Sequence, residues 1–228
     1  RLRNRALGLA NALLLPAAIE LRMTSEVFVW RWHPNQLQPV LCGRLYLEGE
    51  AVRFVYRRLY RESADALALS PNLPLQQAPY MMRNTQTLPR ALADAAPDAW
   101  GRRVIEYRSG LPATELGYLL GGAGDRVGAF EFTGTMAPPQ PPSSGGSSLQ
   151  AMVRAAEGLE INAPLDTDVV AALEHGTSIG GARPKALLQD RGRRLVAKFS
   201  STTDTWPVVR CEVAAMRLAG DCGIQTPR

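Results

Sequence analysis

Along the first half of the chain apolar residues mostly alternate with polar ones, and further on they recur at helical spacing. Residues 26–32, EVFVWRW, are β-branched and aromatic and predict a strand. PVLCGRLYLEGEAVRFVYRRLY follows and predicts two strands that turn at Glu48-Gly49-Glu50. On the second of them Val52, Phe54 and Tyr56 alternate with Ala51, Arg53, Val55 and Arg57, so one face is buried and the other largely wet. SADALALSPNLPL, polar and broken by prolines, predicts a short strand and a loop. In PDAWGRRVIEYR, Pro97 and Asp98 precede Trp100, Val104 and Tyr107 at helical spacing, which predicts a helix with Trp100 in the core. PATELGYLLGGAGD predicts a second short helix that stops at glycines, and VGAFEF a further strand.

Residues 134–148, GTMAPPQPPSSGGSS, have no hydrophobic period and predict a linker. Beyond it LQAMVRAAEGLE and DTDVVAALEHG predict helices, 186–189 and 194–199 a hairpin, and Pro207 to Gly223 a last helix. The fold class is α+β. A small, mixed, β-rich domain over 23–133 and a second unit over 149–228 flank the linker. Residues 1–22 have the basic, apolar outline of a signal peptide, but Asn11 and Pro16 interrupt the run and it is too short to span a bilayer. They are expected to be an upstream extension outside the fold, with Met23 as the natural start.

Composition changes this picture little. In 228 residues, 46% hydrophobic and 21% charged is ordinary for a globular protein. The net charge of +5 suggests nucleic acid until its location is considered. Residues 1–22 hold four arginines against one glutamate, so the remainder is only mildly basic. Arg53, Arg57, Arg58 and Arg61, with Tyr56 and Tyr60 between them, are explained as the wet face of a strand without any DNA. Arg102 and Arg103 read as solvated cations. Three cysteines, Cys42, Cys211 and Cys222, have no ligand spacing, and only two histidines, His33 and His175, are present. A reducing, cytoplasmic location with no zinc site and no membrane is expected.

The candidate chemistry lies in HGTSIGGARPKALLQDRGRRLVAKFS, residues 175–200. Gly176, Gly180 and Gly181 permit close backbone approach, and successive amides in such a loop form an anion nest. Lys185 lies at the loop exit and Lys198 on the returning strand, so the two ammoniums can converge on one phosphate chain. Glu212, on the following helix, can pair with Lys198 as kinases pair a strand lysine with a helix glutamate. The loop is neither a P-loop nor the kinase G-x-G-x-x-G. A glycine-rich turn with solvated cations, a turn serine at Ser178, an edge lysine at 198 and a solvated Glu212 are the competing readings.

SIGGARPKALL, VAKFS and CEVAAMRLAGDCGIQTP together resemble the start of the kinase domain in the HipA family of toxin kinases. GRLYLEGEAVRFVY, PDAWGRRVI and GDRVGAFEF resemble that family's N-terminal region. The resemblance implies the beginning of a protein-kinase-like N-lobe over 149–228 and an ATP- and Mg²⁺-dependent serine/threonine kinase of a toxin–antitoxin system. It implies that Ser178 is the autophosphorylated, silencing serine. Gly180, Gly181, Ala182, Arg183, Pro184 and Lys185 would form the phosphate-covering loop, and Lys198 would contact the ATP phosphates. The catalytic Asp and the metal ligands would lie downstream of Arg228, leaving residues 1–228 inactive by themselves. A helix-turn-helix antitoxin, through which alone DNA is met, and a translation protein such as an aminoacyl-tRNA synthetase are the implied partner and substrate. The alternative is a non-catalytic module that binds an antitoxin or a separate kinase subunit.

Overall fold

The computed structural model describes residues 21, 23–34, 36–82, 88–110, 112–122, 124, 126, 128–140, 149–161, 163–165, 183–190 and 193–227. Strands β1 (Glu26–Arg31), β2 (Val40–Glu48) and β3 (Ala51–Tyr56) form the centre of the first domain. Helix α1 (Arg58–Arg61), the short β4 (Tyr80–Met81) and helix α2 (Arg90–Ala93) follow. Helices α3 (Ala99–Ser109) and α4 (Glu115–Gly121) then lead to β5 (Phe130–Thr133). The five strands form one antiparallel sheet in the order β4-β3-β2-β1-β5. After it come α5 (Leu149–Glu160), the hairpin β6 (Lys185–Asp190) and β7 (Arg193–Lys198), and α6 (Val208–Asp221). The class is mixed α+β, as the periodicity implied.

The expected alternation on β3 is present: Val52, Phe54 and Tyr56 are buried against Val27, Val29, Leu45, Leu116 and Leu119. Gly49, with φ of 60°, opens the turn between β2 and β3, a conformation that costs a glycine nothing. A bulge interrupts the β1–β2 ladder. Val29 faces Gly43 while Trp30 faces Leu41, which leaves Cys42 unopposed and lets the successive residues Leu41 and Cys42 both be buried. Gly43 closes the bulge for a steric reason. A Cβ there would lie 2.4 Å from the Val55 carbonyl oxygen and 2.8 Å from the Phe54 ring. Because backbone blocks it, Gly43→Ala is expected to cost roughly 1–3 kcal/mol or more. Urea unfolding of the variant measures this.

Burial pushes the Cys42 thiol up to about 12, and its Sγ donates to the Val29 carbonyl at 3.1 Å. Such a thiol is inert, whereas Cys211 and Cys222 are free and exposed. An aromatic disulfide reagent should therefore modify two cysteines in the folded protein and the third only after denaturation.

Three expectations need correction. SADALALSPNLPL forms no strand beyond an isolated bridge between Ser70 and Leu73. Side chains satisfy its backbone instead of a neighbouring strand. Tyr56 Oη donates to the Leu73 carbonyl and accepts from Leu69 N at 2.8 Å, while Tyr60 Oη donates to the Leu67 carbonyl at 2.8 Å. Arg102 is no solvated cation; it forms a two-pronged pair with Glu115, at 2.6 and 2.8 Å, that ties α3 to α4. The fold also takes in Leu21. That residue is buried against Ile105 and Tyr118, and its carbonyl accepts from Thr114 Oγ1 at 3.3 Å. Residues 1–20 and 22, like the predicted helix of DTDVVAALEHG and residues 141–148 of the linker, lie outside the described residues.

Helix α3 is the joint of the molecule. Asp98 caps it by accepting from Gly101 N at 2.8 Å, and Gly110, with φ of 71°, ends it. One side, at Ile105, packs toward α4. The other carries Trp100 and Val104 into a separate core with Met152, Ala155, Ala156 and Leu159 of α5, Ala186 of β6 and Phe199. The compositional linker thus joins two stretches of chain that share a core across α3. Loop composition marks where the chain is unpatterned, and it carries no information on which faces pack afterwards.

Candidate functional site

The described part of the candidate site is the hairpin β6–β7 and the helix that follows it. Alanine and leucine on β6, and leucine, valine and alanine on β7, form two strands paired in register, with Lys185 directly opposite Lys198. Phe199 N donates to the Pro184 carbonyl at 3.0 Å and closes the open end. Pro207 stands at the N-cap of α6, where its missing N–H costs nothing. Ser178, Gly176, Gly180, Gly181 and Ala182 lie outside the described residues, so the anion nest inferred from them has no geometry here.

Lys198 and Glu212 are brought together. The ammonium of Lys198 pairs with Glu212 Oε1, a link between β7 and the second turn of α6. Lys198 keeps 46% of its side chain exposed, so it retains donors for a further acceptor. Arg183 is engaged differently: its Nη1 donates to both oxygens of Asp204, at 2.5 and 2.7 Å. That guanidinium holds the Asp204 carboxyl below the usual carboxylate range. Asp204 also accepts from Ser201 N at 3.1 Å, which fixes the turn leading into α6.

Lys185 does not meet Lys198 on a common open site. Its side chain is 4% exposed and its Nζ donates to Asp98 Oδ2 at 2.7 Å. The expected convergence of two ammoniums on one phosphate chain therefore needs correction for this conformation. The half-buried carboxylate of Asp98, at the start of α3, attracts Lys185, while Lys198 is drawn to Glu212 of α6. Trp100 strengthens the same contact, with Nε1 donating to the Lys185 carbonyl at 3.3 Å.

Beside this junction is a polar cleft lined by Trp100, Arg103, Glu160, Ser201, Thr202 and Thr203. Glu160 Oε2 accepts from Thr202 N at 2.6 Å. Burial raises the Glu160 pKa, but hydrogen bonds from Ser201 and Thr202 outweigh it and hold the carboxyl below its ordinary value. The carboxylate thus serves to pin the β7–α6 turn to α5.

Reasoning from sequence missed Asp98 and Asp204 as partners of the candidate cations. Asp98 carried a visible signal as a helix start, yet nothing in the sequence ties it to a lysine 87 positions away. Of the basic run, Arg53 pairs with Glu48, and Arg58 and Arg61 both approach Glu62, at 4.0 and 3.5 Å. The run is thus largely neutralised within the chain, but the expected wet strand face needs correction: Arg53 is half-buried on the interior strand β3, and Arg58 and Arg61 belong to helix α1. Among the described residues no group of three or more His, Cys, Asp or Glu is placed to hold a metal ion, and no helix is long and apolar enough to cross a membrane.

Residues 36–133 match the family model described as the HipA N-terminal domain. That span runs from the loop before β2 to the end of β5 and takes in four of the five strands, together with α1 to α4. No curated protein matches the chain.

Proposed function

We propose that this protein belongs to the HipA family and carries part of the machinery of a type II toxin–antitoxin serine/threonine kinase. The HipA N-terminal domain points to a HipA-like toxin–antitoxin protein, and the kinase reading adds a phosphate-gripping hairpin behind that domain. One observation carries the addition: the pair between Lys198 of β7 and Glu212 of α6. Kinases use such a strand–helix pair to hold a lysine extended toward the α- and β-phosphates of ATP.

The described residues fit this role in part. Lys198, partly exposed and oriented by one carboxylate, suits a phosphate contact, and the backbone of Gly180, Gly181 and Ala182 would cover the phosphates. Arg183 and Pro184 then act as the frame of that loop, since Asp204 holds Arg183 and the Pro184 carbonyl closes the hairpin. Bound ATP supplies the γ-phosphoryl group, and Mg²⁺ would be held by residues other than those described. Ser178 is the acceptor in the silencing reaction, and a Ser or Thr of a translation-related protein, such as an aminoacyl-tRNA synthetase, is the acceptor in the toxic one. A helix-turn-helix antitoxin restrains the enzyme.

The test is phosphoryl transfer by the complete gene product. Incubated with MgATP, it should incorporate phosphate at Ser178, and Ser178→Ala should remove that label while leaving transfer to a protein substrate intact. A complete gene product that neither binds MgATP nor incorporates phosphate would end the kinase reading.

A further inference from the structure

The first turn of α3 holds the start of β6 at two points. Asp98 Oδ2 accepts from the Lys185 ammonium at 2.7 Å, and Trp100 Nε1 donates to the Lys185 carbonyl at 3.3 Å. Asp98 has two duties at once, because its other oxygen accepts from Gly101 N at 2.8 Å and caps α3. Both carboxylate oxygens are thereby committed, one to the backbone of the first domain and one to a cation of the hairpin. A lysine buried this deeply demands a counter-charge. The hairpin passes the constraint on. Lys185 faces Lys198 in register, and the Pro184 carbonyl accepts from Phe199 N, so the position of β6 dictates that of β7.

We propose that Asp98 is a positioning residue for Lys198: it anchors Lys185, and through the paired strands it sets where the Lys198 ammonium stands. The HipA N-terminal domain is then a structural part of the phosphate-binding apparatus. Asp98 touches no phosphate and acts only through Lys185. The effect on nucleotide rests on the kinase reading above; the anchoring of β6 does not.

Asp98→Asn, Asp98→Ser, Asp98→Glu, Lys185→Met and the double variant Asp98→Asn/Lys185→Met in the complete gene product test this. Asn and Ser keep the helix cap and remove the charge, so loss of the cap is not what they report. Asp98→Asn and Asp98→Ser should raise the MgATP dissociation constant about ten-fold or more, since displacement of a contact group by about an ångström has effects of that order. Amide exchange over residues 184–199 should accelerate in the same variants while exchange in β1, β2 and β3 stays unchanged. Asp98→Glu, which keeps the charge, should restore part of both. The double variant should be no weaker than its worse parent, as for two changes in one path.

Unchanged MgATP affinity and unchanged exchange over 184–199 in Asp98→Asn would overturn the proposal, as would strict additivity in the double variant. If the unmodified protein binds no MgATP, the kinase reading falls and exchange decides the anchoring alone: acceleration over 184–199 supports it and full protection removes it.

Discussion

On the proposed kinase reading, Lys198→Met in the complete gene product is expected to lower phosphoryl transfer by about 10²–10³-fold, the usual cost of removing one preorganised charge aimed at a reacting group. The fold should survive. Lys198 lies at the end of β7, nearly half exposed, and its one described partner, Glu212, is itself a third exposed, so no buried charge is stranded. Methionine keeps the length and apolar character of the stem beside Ala197 and Phe199. Glu212→Gln should lower transfer less, because it leaves the cation in place and removes only what orients it. Initial rates at saturating and at limiting MgATP separate lost phosphate affinity from lost chemistry. A Lys198→Met enzyme with unaltered rates would mean that the strand–helix pair only braces α6.

Arg126→Met is expected to destabilise the first domain by about 3–5 kcal/mol, the range for removing one partner of a buried pair. Arg126 is 2% exposed in its side chain and lies 3.5 Å from Glu131, which is 7% exposed. It also donates to the carbonyls of Ala95, at 2.8 Å, of Leu119, and of Gly122, at 3.3 Å, while its guanidinium covers the Phe132 ring at 5.0 Å. One side chain thus fastens the end of α4 and the segment after α2 to strand β5. Burial drives its pKa down to about 10 against the opposing pull of Glu131, which still leaves it charged at neutral pH. Methionine fills similar space yet leaves three carbonyls short of a donor and removes the ion partner of Glu131. Guanidinium unfolding followed by tryptophan fluorescence reads the loss; a change under about 1 kcal/mol would mean that water replaces the network.

The legible part of the sequence was the part with a period. Val52, Phe54 and Tyr56 announced a sheet face, Pro97-Asp98 a helix start, and Glu48-Gly49-Glu50 a turn, because each rests on interactions within a few residues. The segment 63–75 was misread for the opposite reason: its backbone is satisfied by Tyr56 and Tyr60 hydroxyls, and such long-range substitutes for a ladder leave no local pattern. β4 escaped notice because two residues are too few to alternate. At the candidate site the Lys198–Glu212 proximity followed from strand, turn and helix in succession. The burial of Lys185 was invisible, since the carboxylate that draws it inward belongs to another domain. Two cations near a glycine loop look equivalent on paper, and only their counter-charges tell them apart.

The pairing of β5 with β1 has a consequence for biosynthesis. Trp30 Nε1 donates to Thr133 Oγ1 at 2.7 Å across 103 residues of chain. Closing so large a loop is slow, because the entropy is lost before any contact rewards it. A nascent chain can assemble β1, β2 and β3 as a local meander long before β5 leaves the ribosome, and through that interval the far side of β1 presents unpaired peptide groups. That open margin is the point at which a partly made chain is most exposed to pairing with a strand from a neighbouring polypeptide.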